Sequence, residues 1–157
     1  MSYEVYTDGA CSNNQRPGGQ PGGWAAVFKD GRILSGAEPA TTNNRMELKA
    51  AIAALRHTPP GAEVIVYSDS AYVVNAFQQD WFSGWRLRGW RNAKGKPVEN
   101  LDLWQELLAL AEARRVRWVK VAGHRGDPWN ERADREAVAA MRRMLAGMRE
   151  RGPSSEP

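Results

Sequence analysis

Glu63-Val64-Ile65-Val66-Tyr67-Ser68-Asp69 is a nearly continuous apolar run that ends at an acid. Such a run reads as a strand buried on both faces, the kind found in the parallel part of an α/β sheet. Upstream, Asn43 to about His57 carries Leu48, Ile52 and Leu55 at helical spacing. Thr41, Thr42, Asn43 and Asn44 offer N-caps, and Pro59-Pro60-Gly61 stops the pattern. Farther upstream, Tyr3-Glu4-Val5-Tyr6-Thr7 reads as a strand that stops at an Asp8-Gly9 turn. Asn13 to Gly23, with two Pro-Gly-Gly steps, reads as a loop, and Trp24 to Phe28 and Arg32 to Ser35 flank Lys29-Asp30-Gly31 as a hairpin. Three antiparallel strands followed by a helix and then this run predict a fourth strand parallel to the first.

Downstream, a helix is expected from Ser70 to about Gln79. Asn100 to Arg114 is amphipathic through Leu101, Trp104, Leu107, Leu108 and Ala111, Val116 to Val121 is a last strand, and a final helix runs from Asn130 to about Met148. The expected fold is α/β: a five-stranded mixed sheet, an antiparallel three-strand meander plus parallel strands, flanked by helices. Residues 1–148 form one domain, residues 80–99 a basic protrusion, and residues 149–157 a polar tail expected to be disordered.

The 157 residues, 42% apolar and 25% charged, suffice for one core without a structural metal or disulfide. The single cysteine, Cys11, has no internal partner, which agrees with a reducing compartment. No run approaches the ~20 apolar residues of a membrane helix. Met1 leads into a strand-like segment rather than a secretory leader, so a cytoplasmic, monomeric protein without a membrane partner is expected. A net charge of +4, with 22 Lys and Arg, favours a polyanionic partner.

Asp8 and Asp69 each end a strand, and if those strands are parallel neighbours both carboxylates emerge at the carboxyl edge of the sheet. Glu47 and Asp134 lie one turn into the first and last helices and can reach back toward that edge. Four carboxylates in one place repel unless cations neutralise them, and hard oxygen donors suit Mg²⁺ or Mn²⁺ rather than zinc. Each acid also has a structural reading. Asp8 would belong to a turn, Glu47 and Asp134 would complement a helix dipole, and Asp69 would cap a helix.

The strings Tyr6-Thr7-Asp8-Gly9-Ala10, Thr41-Thr42-Asn43-Asn44-Arg45-Met46-Glu47-Leu48, Tyr67-Ser68-Asp69-Ser70, Gly123-His124 and Asn130-Glu131-Arg132-Ala133-Asp134, in this order and spacing, closely resemble bacterial type 1 ribonuclease H. The likeness runs from about Tyr3 to Ala140. It implies an endonuclease that hydrolyses the RNA strand of RNA/DNA hybrids, leaving 5′-phosphate and 3′-hydroxyl ends. Asp8, Glu47, Asp69 and Asp134 would bind two Mg²⁺ ions around the scissile phosphate, with Mn²⁺ as a possible substitute. His124, in the loop that precedes the last helix, would assist proton transfer or product departure.

The same resemblance implies that residues 81–96 grip the DNA strand. Arg86, Arg88, Arg91, Lys94 and Lys96 would contact phosphates and Trp81 the DNA backbone, while Trp85, Trp90 and Trp104 pack. Asn13, Asn14, Asn43 and Asn44 would meet 2′-hydroxyls in the minor groove, and Thr42 and Asn100 would form part of a pocket for a DNA phosphate. The loop Cys11 to Gly23 is longer than the family pattern, which bears on Asn13 and Asn14. Two other functions compete: a DNA nuclease or resolvase of the same fold, and a non-catalytic hybrid-binding module. The basic protrusion and the Thr-Thr-Asn-Asn string argue against the first, the complete acid set against the second.

Overall fold

The structure, a computed structural model, describes residues 2–12, 19–123 and 126–151. Its elements are β1 (Ser2–Cys11), β2 (Gln20–Phe28), β3 (Ile33–Thr41), α1 (Asn43–Arg56), β4 (Glu63–Ser68), α2 (Ala71–Gln78), α3 (Trp81–Leu87), α4 (Leu101–Glu112), β5 (Arg115–Lys120) and α5 (Pro128–Arg151). The strands form one five-stranded sheet in the order β3-β2-β1-β4-β5. β1, β2 and β3 are antiparallel neighbours, while β4 is parallel to β1 and β5 parallel to β4. The expected mixed sheet is thus present, with the parallel pair produced by the α1 crossover.

The main core lies on one face, where Leu48, Ile52 and Leu55 of α1 meet Val5, Val64 and Val66, joined by Val73, Val74, Leu103, Trp104 and Leu107. On the other face α5 packs over β1, β2 and β3, above a smaller cluster of Tyr6, Val27 and Ala133. That placement corrects one expectation. β4 alternates, with Val64, Val66 and Ser68 buried but Ile65 and Tyr67 only half-buried. The run is apolar throughout, yet α5 lies across the meander, so the second face of β4 is only partly covered.

The ends of the elements also differ. Asp8-Gly9 is not a turn: β1 continues to Cys11, with Gly9 opposite Trp24 and Cys11 opposite Gly22. Pro21-Gly22-Gly23 is not loop but buried strand. Glycine is required there because a methyl on Gly23 would lie 2.2 Å from the Ala137 carbonyl oxygen of α5. α5 starts at Pro128 rather than Asn130. Proline suits a first helical position, and the Asp127 carboxylate accepts the amides of Trp129 (2.9 Å) and Asn130 (3.3 Å) as the cap. α5 also runs to Arg151, past the expected end near Met148, because no proline intervenes before residue 153. Residues 152–157 of the expected tail lie outside the described residues.

Candidate active site

Parallel pairing of β1 with β4 sets Thr7 opposite Ser68, so the next residues, Asp8 and Asp69, stand side by side at the carboxyl edge. Glu47 joins them because α1 comes unusually close to β1. A methyl on Gly9 would lie 2.6 Å from the Glu47 backbone nitrogen, so only glycine allows the approach. One carboxylate oxygen each from Asp8, Glu47 and Asp69 lie within 4.8 Å of one another. Asp134, from α5, borders the same cleft and acts on Asp8 through its charge.

Two of these acids are deeply buried: Asp8 is 4% and Glu47 5% exposed. Gly9 N donates to Asp8 Oδ1 at 2.9 Å, but Glu47 Oε1 has no hydrogen-bond partner among the described residues. Burial first, then the charges of Asp69 and Asp134, push the Asp8 carboxyl up to about 8. Burial and then the charges of Asp8 and Asp69 push Glu47 well above the usual carboxylate range. A buried carboxylate oxygen left without a donor, inside a cluster of hard oxygen atoms, fits a divalent cation. The alternative reading of Asp69 as a helix cap does not hold, since Ser70 caps α2 by accepting from Val73 N at 3.2 Å.

Asn43 and Asn44 are exposed and border the acidic cleft, together with Ser70, Ala71 and Tyr72. Thr42 caps α1, its hydroxyl accepting Arg45 N at 3.2 Å. Asn100, across the α1–α4 junction, accepts from Arg45 Nη1 at 3.2 Å. Arg45 itself, which sequence reasoning did not single out, forms a forked ion pair with Asp102 at 3.1 and 2.8 Å. Tyr72 was also missed. Its hydroxyl accepts from Asn100 Nδ2 (3.1 Å) and Trp104 Nε1 (2.9 Å), linking this junction to the cleft. The only signal for Arg45 was its place inside the Thr-Thr-Asn-Asn-Arg string, and Tyr72 carried none.

In the protrusion, Trp81, Trp85 and Trp90 are half-buried against the core and Trp104 is fully buried. Arg86 is tied to Glu112 of α4 at 2.9 Å, Arg88 donates to the Arg91 carbonyl (3.0 Å), and Arg91 donates to that of Gly95 (2.9 Å). All three arginines are exposed, as are Lys94 and Lys96. His124, Asn13 and Asn14 lie outside the described residues. Asn130, which opens the Asn-Glu-Arg-Ala-Asp string, is 3% exposed, and its Oδ1 has no hydrogen-bond partner among the described residues.

A family model for RNase H matches residues 1–142. The chain belongs to the RNase H family. It is 55% identical over 145 residues to a ribonuclease H of Moorella thermoacetica, an alignment spanning 88% of this chain and 93% of the relative. A ribonuclease H of Symbiobacterium thermophilum is 54% identical over 140 residues, covering 87% and 92%. Among solved structures, LC9-RNase H1, a type 1 RNase H with the type 2 active-site motif, superposes with a TM-score of 0.78 at 37% identity, covering 89% of this chain and 72% of that one. Membership makes this chain an enzyme, an endonuclease of the RNA strand in RNA/DNA hybrids. No described helix is long and apolar enough to cross a membrane.

Proposed function

We propose that the chain cleaves the RNA of an RNA/DNA hybrid at the Asp8, Glu47, Asp69 and Asp134 cleft, with Mg²⁺ or Mn²⁺ as the metal. The observation that carries this reading is the three-carboxylate cluster, within 4.8 Å, whose buried Glu47 oxygen lacks a donor among the described residues. Divalent cations bound there supply a water of lowered pKa and neutralise charge on the leaving 3′-oxygen. Asp8, flanked by the other acids, would be a ligand of cations held there. Because Asp8 and Glu47 hold protons readily in the metal-free state, cation binding releases protons and tightens as pH rises.

Around the acids, the amides of Asn43 and Asn44 are suited to 2′-hydroxyls, and Thr42, Arg45 and Asn100 to a phosphate of the DNA strand. Arg86, Arg88 and Arg91, with Trp81, would grip the DNA from the protrusion. His124 is assigned proton transfer or product departure on the resemblance of its string, and Asn13 and Asn14 contacts to the minor groove on the donor and acceptor chemistry of their amides. A cytoplasmic monomer is part of the same reading.

The deciding experiment compares end-labelled RNA/DNA, RNA/RNA, DNA/DNA and single-stranded RNA, with Mg²⁺ and with EDTA. Internal cuts confined to the RNA of the hybrid, and lost in EDTA, are expected. Cutting of DNA would place the chain with DNA nucleases of this fold. Binding without cutting would make it a hybrid-binding module.

A further inference from the structure

Over its first four turns, the face of α5 that meets the sheet carries a stripe of alanine: Ala133 and Ala137 are fully buried and Ala140 nearly so. Alanines let the helix come close to Gly23. They also give it little shape, and a smooth stripe of methyls offers few ridges to resist rotation about the helix axis. Asp134 sits one residue along from that stripe. A turn of ~20° would move a carboxylate carried ~5 Å from the axis by ~1.7 Å, close to a whole Mg²⁺–oxygen distance. Some other contact must therefore set the rotation of α5.

Trp129 lies four residues before Ala133 and begins the same stripe. Its ring stacks on Tyr6 (centroids 6.1 Å apart, planes 18°), and Tyr6 stacks on Tyr67 (4.4 Å, 10°). Lys29 Nζ stands 5.7, 5.4 and 5.9 Å from the centroids of Tyr6, Tyr67 and Trp129. It is held there by Glu4 at 3.3 Å, and Glu4 also accepts the Tyr67 hydroxyl at 2.7 Å. From the helix side, Asp127 holds the amides of Trp129 and Asn130. The Asp127 carboxylate also faces Tyr6. Burial first, then the Asp127 charge, push that phenol up to about 12, so it stays a neutral donor. Tyr6 is two residues before Asp8 on β1, which places both on one face of the strand. The Trp129 ring is thus referenced to the strand that carries the central acid.

We propose that Trp129 is a positioning residue: its stack on Tyr6 sets the rotation of α5 and so the distance of Asp134 from Asp8. Trp129 does not border the acidic cleft, so it acts through Asp134 and not on the substrate. The inference rests on the reading of the four acids as the cation site.

Trp129→Ala, Trp129→Leu and Trp129→Phe test it. Three readouts are needed: Mn²⁺ binding to the free protein by calorimetry, kcat and KM on a hybrid across a Mg²⁺ series, and Tm. The Ala and Leu variants should weaken Mn²⁺ binding and lower kcat by about tenfold or more, as loss of an outer support of a metal site does. KM for the hybrid should stay within about twofold, and Phe, which keeps a flat face, should recover most of both losses. Should the Ala variant fail to fold, the Leu variant, which fills much of the volume without stacking, decides. Unchanged Mn²⁺ binding and kcat in the Leu variant would overturn the proposal, as would a rise in KM alone, which would make Trp129 a substrate contact. If the unaltered chain binds Mn²⁺ but leaves the hybrid intact, the functional reading fails, and calorimetry still decides the role of Trp129.

Discussion

Asp8 is 4% exposed and has Glu47, Asp69 and Asp134 around it. Unfolded, its carboxyl loses its proton near 3.8; folded, it keeps it up to about 8. Below pH ~4 both states are protonated and the group leaves stability unchanged. Between the two values the unfolded state binds fewer protons, so stability falls as pH rises, and the full cost is present above about 8. The raised Glu47 carboxyl acts in the same direction. The Tm of the metal-free protein should therefore drop from pH 4 to 8, with Mg²⁺ restoring it and Asp8→Asn flattening the profile. A Tm of the unaltered protein that does not move with pH or with Mg²⁺ would refute this account. The same substitution should cut hybrid cleavage on the order of a thousandfold or more while leaving hybrid binding nearly intact, because it removes a ligand but none of the basic surface. Turnover and filter binding, measured side by side, check it.

At the scale of elements, the acids meet because two helices are let in close. Gly9 admits α1 and Gly23 admits α5, each against backbone that has little room to give. Gly23→Ala should push α5 off β2 at a cost of ~1–3 kcal/mol and raise the Mg²⁺ needed for half-maximal activity. Thermal melts and a metal titration read the two effects, and a variant identical in both would show that α5 can settle elsewhere. The α3 protrusion behaves differently. Arg86 is paired with Glu112, but both side chains are about half exposed, so the pair is weak and exchangeable for phosphate. Reversing Arg86, Arg88 and Arg91 to glutamate should raise KM several-fold and flatten its dependence on salt, with kcat nearly unchanged. A plot of log KM against log salt with an unaltered slope would move the grip to another surface.

Across the whole molecule, Trp104 ties the distant parts together. It is fully buried, its ring meets Tyr72, Phe77, Phe82 and Trp85, and its Nε1 donates to the Tyr72 hydroxyl that also accepts from Asn100. The base of the protrusion, the α1–α4 junction and the edge of the acidic cleft thus share one residue. Trp104→Ala should cost ~3–5 kcal/mol, lowering Tm by roughly 10 °C, and should raise KM for the hybrid by loosening Asn100. Calorimetry and steady-state kinetics test the two halves, and a variant with normal stability would mean that the aromatic cluster repacks freely.

The sequence by itself determined the order of the strands and of the helices other than α3, and the parallel return of β4, because strand runs, helical spacing and turn residues are local; it singled out the acids because each sits in a distinctive string. It also separated Trp104, Trp85 and Trp90, as packing residues, from the exposed arginines. It did not determine how far strands and helices extend at the site. Asp8-Gly9 and Pro21-Gly22-Gly23 carry the local signature of turns, yet they are strand, because the glycines there serve helices that arrive from more than thirty residues away. The half-open face of β4, the capping of α5 by Asp127, the link from Arg45 to Asn100 and Asp102, and the stacking of Trp129 on Tyr6 were likewise decided by tertiary structure alone. Each depends on which surface lies across from a residue, and that is set by the packing of distant segments, not by neighbours in the chain.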